Sequence, residues 1–249
     1  MYTTSEREQI RRAILERARV DPRISGGALT GSASVGREDA WSDIDLAFGV
    51  RESESIASLL DDWTQFMRER GAIDTYDVRS GTWVYRVFLM PDTLQIDLAF
   101  APAAEFGARA STFRLVFGEA AQPGHRTPAP PTEFIGAAWL FALHARSSLA
   151  RSRLWQAEYM LGAMRNMVVS LACVSRELPE RDGRGVDRLP APLLARLEDS
   201  LTRRLDADEM GRAFETLVAI FIDETRRVDD SFAERLAPVL REMTLSWRT

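Results

Sequence analysis

The stretch Gly31–Val50 reads GSASVGREDAWSDIDLAFGV. Its end, Asp43 to Val50, has the apolar character of a β-strand. Residues two apart on a strand point to the same face, so Asp43 and Asp45 are expected to project side by side. Two carboxylates held on one face repel each other unless a cation sits between them. A hard divalent ion with oxygen ligands, Mg²⁺ above all, suits that place. Gly31-Ser32, separated from Asp43 by ten residues, supplies a small turn with exposed backbone and a hydroxyl, and both suit the close approach of a phosphate. A phosphate cradle next to metal-binding carboxylates points to nucleotide chemistry.

Working outward, Asp97 in LQIDLAF is a third isolated carboxylate. An Asp flanked by Ile96 and Leu98 in a strand costs stability unless it is paired or coordinated. Ser5 with Glu8 predicts a capping box for a first helix running to about Arg19. Ala28 to Gly31 reads as a short strand. Ser53 can cap a helix in which Ile56, Leu59, Leu60, Trp63 and Met67 recur at helical spacing. Strands are expected over 72–78, 83–90, 94–100 and 114–117, with a hairpin turn at Pro91-Asp92. Beyond a proline-rich segment the pattern turns wholly helical, over 133–149, 152–177, 191–204, 208–230 and 232–243. The expected class is therefore α/β (α+β): a mixed sheet with flanking helices, then an all-α bundle. The domains read as 1–118, a linker over 119–132, and 133–249.

The Gly-Ser, the spacer and the Asp-x-Asp at 43–45 resemble the signature of the DNA polymerase beta-like nucleotidyltransferase superfamily. Its members usually carry a third carboxylate on a later strand, and Asp97 sits where it would be sought. Within that superfamily the chain most resembles two-domain antibiotic (aminoglycoside-type) nucleotidyltransferases. The motif match covers roughly the first hundred residues, and the likeness of the helical half rests on architecture. The resemblance implies a Mg²⁺-dependent transferase that moves a nucleoside monophosphate, AMP from ATP foremost, to a hydroxyl of a small-molecule acceptor with release of pyrophosphate. An aminoglycoside-like antibiotic is the favoured acceptor, which implies a role in antibiotic resistance. The implied mechanism is two-metal in-line displacement, with two Mg²⁺ ions held by Asp43, Asp45 and Asp97 and the outgoing phosphates held by Gly31 and Ser32.

Other residues admit two readings each. Arg37 and Ser42, in the loop before the carboxylates, could reach the triphosphate; a loop Arg is as readily solvated. Trp41 could stack on a base, but packing under the sheet is the expected role. Glu158 lies in LWQAEYMLGAMRNMVVSLACV, a helix apolar on nearly all sides and so expected to be buried. The resemblance assigns Glu158 as general base on the acceptor hydroxyl, with Arg165-Asn166 following it. The alternative is a structural polar network between helices that includes Arg165. His125 and His144 read as solvated or structural, while Arg184, between two glycines in a loop, could touch substrate.

With 45% hydrophobic and 28% charged residues the chain reads as an ordinary globular protein. The net charge of −5 disfavours nucleic acid as the main partner and fits a small cationic acceptor. All 32 basic side chains are Arg, so any phosphate-binding cation must be a guanidinium. The single Cys173 excludes an intramolecular disulfide. The charged N-terminus has no apolar signal region and no run spans a membrane, so a cytoplasmic location is expected. The helical half could also supply a homodimer interface. Two other classes compete. One is a protein-modifying (AMPylating) nucleotidyltransferase of a toxin–antitoxin type. The other is a non-catalytic nucleotide-binding sensor, which three intact carboxylates argue against.

Overall fold

A computed structural model describes residues 2–122 and 129–248 of the chain. The chain divides into two compact units, Met1–Arg126 and Thr127–Thr249. The middle of the proline-rich segment, 123–128 with His125, lies outside the described residues.

The first unit runs α1 (Thr4–Val20), β1 (Ile24–Thr30), a single turn α2 (Gly31–Ser34), β2 (Ile44–Val50), α3 (Ile56–Arg68), β3 (Asp74–Ser80), β4 (Trp83–Leu89), β5 (Gln95–Pro102) and β6 (Phe113–Gly118). The strands form one sheet in the order β3-β4-β5-β2-β1-β6. β2 and β5 pair in parallel and the other neighbours are antiparallel. This is the mixed sheet with flanking helices expected from the sequence.

Two caps differ from expectation. The Thr3 hydroxyl accepts the Glu6 N–H at 3.2 Å, and the Glu6 carboxylate accepts the Thr3 N–H at 2.8 Å. The capping box therefore lies two residues before Ser5 and Glu8. Both sites have the required spacing, but Glu8 is engaged by Arg11. At α3 the N-cap position falls on Ser55, not Ser53.

The sheet has two unlike faces. Parallel pairing sets Leu46 against Leu98 and Phe48 against Phe100. These residues, with Ile44 and Ile96, meet Ile14 of α1 and Leu59, Trp63 and Met67 of α3 in one buried cluster. The Trp63 ring lies 5.2 Å from Phe48 and 5.6 Å from Phe100. Each fully buried ring of this kind contributes about 2–3 kcal/mol. The opposite face carries small side chains, Ala28, Ala47, Ala99 and Ala101, beside Trp83 and Phe106. Alternation places Asp45 and Asp97 on this small-residue face, away from the large apolar core.

The second unit is helical: α4 (Pro131–Ala150), α5 (Leu154–Val174), α6 (Ala191–Asp199), α7 (Ala207–Val228) and α8 (Asp230–Leu245). Proline opens α4 and sits in the first turn of α6, where its missing N–H costs nothing. Asp206 and Asp229 cap α7 and α8 through their side chains. The core gathers Ala138, Leu161, Met164, Phe214, Leu217, Phe221 and Leu240. α5 is not buried on nearly all sides as its composition predicts. Ala157, Leu161, Met164 and Val168 are buried, while Trp155 and Tyr159 are 79% and 71% exposed. These two aromatics stand four residues apart on an outer stripe, so a mean apolar content misjudged an amphipathic helix. Among the described residues no helix is long and apolar enough to cross a membrane.

Candidate metal and nucleotide site

The in-register parallel pairing of β2 with β5 sets Asp45 directly beside Asp97. Asp43 precedes β2 by one residue and does not lie within the strand as expected. One ligand atom from each of Asp43, Asp45 and Asp97 falls within 4.8 Å of the other two, and all three residues are half-buried. The sequence names these three acids; pairing of separate strands brings them together.

Gln95, on the same strand as Asp97, joins the group. Its amide nitrogen donates to Asp97 Oδ1 at 3.0 Å and approaches Asp43 Oδ2 at 3.5 Å. Burial raises the Asp97 carboxyl above its ordinary value; the Gln95 hydrogen bond opposes that rise and the Asp43 charge adds to it. A raised carboxyl beside a like charge marks a place where a cation would relieve both costs. Sequence reasoning missed Gln95, although its spacing of two from Asp97 on a strand was the available signal.

Gly31 and Ser32 lie next to the acids. Gly31 has φ +60°, and a Cβ placed there would lie 2.0 Å from Asp45 Oδ2. Only glycine satisfies both the backbone conformation and the close approach. The expected strand end at Gly31 is thus the start of α2. The Ser32 hydroxyl is buried with no hydrogen-bond partner among the described residues. An orphaned hydroxyl beside three clustered carboxylates fits a site that takes a metal-bound phosphate.

The loop from Gly36 to Ser42 is pinned from α1. Arg7 and Arg11 are buried. Arg7 donates to the carbonyl oxygens of Asp39 and Ala40, and Arg11 pairs with Glu8 and Glu38. Neither Arg stood out in the sequence among so many. Arg37 is exposed, and its N–H donates to the Ser32 carbonyl at 2.9 Å. Ser42 exchanges hydrogen bonds with Asp39, at 3.0 Å from the Asp39 N–H and 3.1 Å to Asp39 Oδ1. Trp41 does not pack under the sheet: it is 82% exposed. Its backbone is held in a turn, with the Trp41 N–H donating to Asp39 Oδ1 at 2.9 Å.

The remaining candidates belong to the helical unit. Glu158 is half-buried on α5. Burial lowers the Arg165 pKa, and the charge of Glu158 opposes that shift. Arg165 donates to Ser200 Oγ at 3.2 Å and to the Ser200 carbonyl at 2.7 Å, which ties α5 to the end of α6. Asn166 and His144 are exposed. Arg184 is exposed in its loop, 4.0 Å from Asp182.

No family model and no curated protein sequence matches the chain. Among solved structures, an aminoglycoside 6-adenyltransferase from Bacillus subtilis is similar with a TM-score of 0.43 and 13% identity, over 98% of this chain and 100% of that one. So loose a likeness carries no chemistry from one protein to the other, which leaves the carboxylates and their neighbours to supply it.

Proposed function

We propose that the protein is a Mg²⁺-dependent nucleotidyltransferase of the DNA polymerase beta-like superfamily. It would move a nucleoside monophosphate, AMP from ATP foremost, to a hydroxyl of a small acceptor of the aminoglycoside type. The observation that carries the reading is the meeting of Asp43, Asp45 and Asp97 within 4.8 Å, with Gly31 packed against the Asp45 carboxylate.

The three carboxylates would hold the metal, one or two ions by charge count. Bound Mg²⁺ would neutralise the triphosphate and lower the pKa of the acceptor hydroxyl. Ser32 would turn its unpartnered hydroxyl to a departing phosphate, and the Gly31 and Ser32 backbone would approach the same group. Arg37, exposed on the adjoining loop, is placed in sequence to follow the phosphates, and Ser42 keeps the chain before Asp43 in shape. In the transfer, the acceptor oxygen bonds to the α-phosphorus as the bond to pyrophosphate breaks, and the hydroxyl proton passes to a base. Glu158 is the proposed base, in a helical substrate-binding domain over 133–249 that follows a catalytic domain over 1–118.

The test is pyrophosphate release from ATP in the presence of a panel of aminoglycosides, with and without Mg²⁺, for the native chain and Asp97→Asn. Metal-dependent release that one acceptor stimulates and the variant lacks supports the reading. Nucleotide binding without turnover on any hydroxyl acceptor would favour a sensor instead.

A further inference from the structure

Trp41 is 82% exposed, although its ring is the largest apolar side chain in the repertoire and ordinarily finds cover. The chain around it is nonetheless held firmly. The Trp41 N–H donates to Asp39 Oδ1 at 2.9 Å, and Ser42 Oγ donates to the same oxygen at 3.1 Å. Arg7, buried on α1, grips the two carbonyls just before it. A fixed backbone thus presents an aromatic ring to solvent, the arrangement of a preorganised stacking surface.

Beside the ring lies a cleft of about 170 Å³ lined in part by Tyr2, Arg7, Trp41, Asp43, Leu94 and Gln95. Asp43 and Gln95 also belong to the carboxylate group, so the cleft adjoins it. Its size separates the ligands. Sites for drug-sized molecules run to roughly 300–1,000 Å³, and this smaller cleft suits one planar heterocycle. Tyr2 and Leu94 add apolar surface suited to such a ring.

We propose that this cleft takes the base of the nucleoside triphosphate, stacked on Trp41. The inference rests on the nucleotide reading of the carboxylate cluster, and it assigns base affinity to a residue outside that cluster. Stacking on an aromatic side chain is worth enough that its removal weakens binding about 5- to 150-fold.

The test compares Mg²⁺·ATP with Mg²⁺·tripolyphosphate, by calorimetry on the full chain, for the native protein, Trp41→Ala, Trp41→Phe and Asp43→Ala. Trp41 is so exposed that its variants are expected to fold, which thermal unfolding checks. The proposal expects native protein to hold ATP more tightly than tripolyphosphate. It expects Trp41→Ala to lose that difference while tripolyphosphate affinity stays, and Trp41→Phe to keep most of it. Unchanged ATP affinity in Trp41→Ala, or equal weakening of both ligands, overturns the stacking assignment and leaves the nucleotide reading standing. Failure of the native protein to bind either ligand overturns the nucleotide reading itself, and the base cleft with it.

Discussion

Gly31→Ala tests how the backbone and the carboxylates are interlocked, with Gly36→Ala as its control. Both glycines have positive φ, +60° and +67°. Placing alanine in that conformation costs about 1–2 kcal/mol. At Gly36 nothing lies within 4 Å of the new Cβ, so that cost stands alone. At Gly31 the new Cβ would meet Asp45 Oδ2 at 2.0 Å, Cγ at 2.7 Å and Cβ at 3.2 Å. The carboxylate must swing off its rotamer, which adds about 0.5–1.5 kcal/mol. Gly31→Ala is therefore expected to cost roughly 1.5–3.5 kcal/mol in urea unfolding, and Gly36→Ala only the conformational part. Titration with Mg²⁺ and ATP should separate them further. Disturbing a group that orients a metal ligand weakens binding about 10- to 100-fold, whereas Gly36→Ala should bind as the native protein does. Equal behaviour of the two variants in both assays would refute the interlock.

Asp97→Asn removes a carboxyl whose ionised form is disfavoured by burial and by Asp43. Metal-free thermal stability should hold or rise while the stabilisation by saturating Mg²⁺ disappears; a large loss of metal-free stability would count against the cluster as a strained metal site. Arg86 donates twice to Asp77 at 2.7 Å, and to Thr64 Oγ and the Leu60 carbonyl at 2.7 and 2.9 Å, binding the outer strands to α3. Arg86→Ala should cost about 2–4 kcal/mol, with Arg86→Lys a poor substitute because a point charge cannot span the fork; a change under about 0.5 kcal/mol would remove Arg86 from that role. Hydrogen bonds from Arg212 first, then from the Arg203 backbone, bring the Glu209 carboxyl from its ordinary 4.5 to about 2. The folded state stays ionised where the unfolded state takes up a proton, so this contribution is present above pH 4.5 and is lost as pH falls through about 2. Glu209→Gln should flatten the acid limb of a stability–pH profile, and an unchanged limb would show that Glu209 does not contribute to it.

Local patterning made much of the fold legible. The stripe Leu59, Leu60, Trp63 and Met67 on α3 is buried as its spacing predicts, because helical period and burial are set within one element. The isolated Asp97 between Ile96 and Leu98 was readable for a similar reason, since an acid in an apolar strand needs a partner. Pairing between separate elements was not readable. Asp97 meets Asp45 only through the β2–β5 register, and the Arg7 clamp on the Asp39 and Ala40 carbonyls joins residues more than thirty positions apart. Packing was expected of Trp41 because burial was inferred from residue type, whereas the ring stands exposed on a loop held by Asp39. α5 was misread by the same shortcut: Trp155 and Tyr159 raise its apolar content yet lie on its exposed side.

The central claim is that Asp43, Asp45 and Asp97 form a metal site for a nucleoside triphosphate. Calorimetric titration of ATP and GTP into the full chain, with and without Mg²⁺, beside Asp43→Ala, tests it most directly. The account predicts binding that requires Mg²⁺ and vanishes in the variant, with the preferred nucleotide naming the donor. Binding that is indifferent to Mg²⁺ and to Asp43, or no binding by a folded native protein, would contradict it.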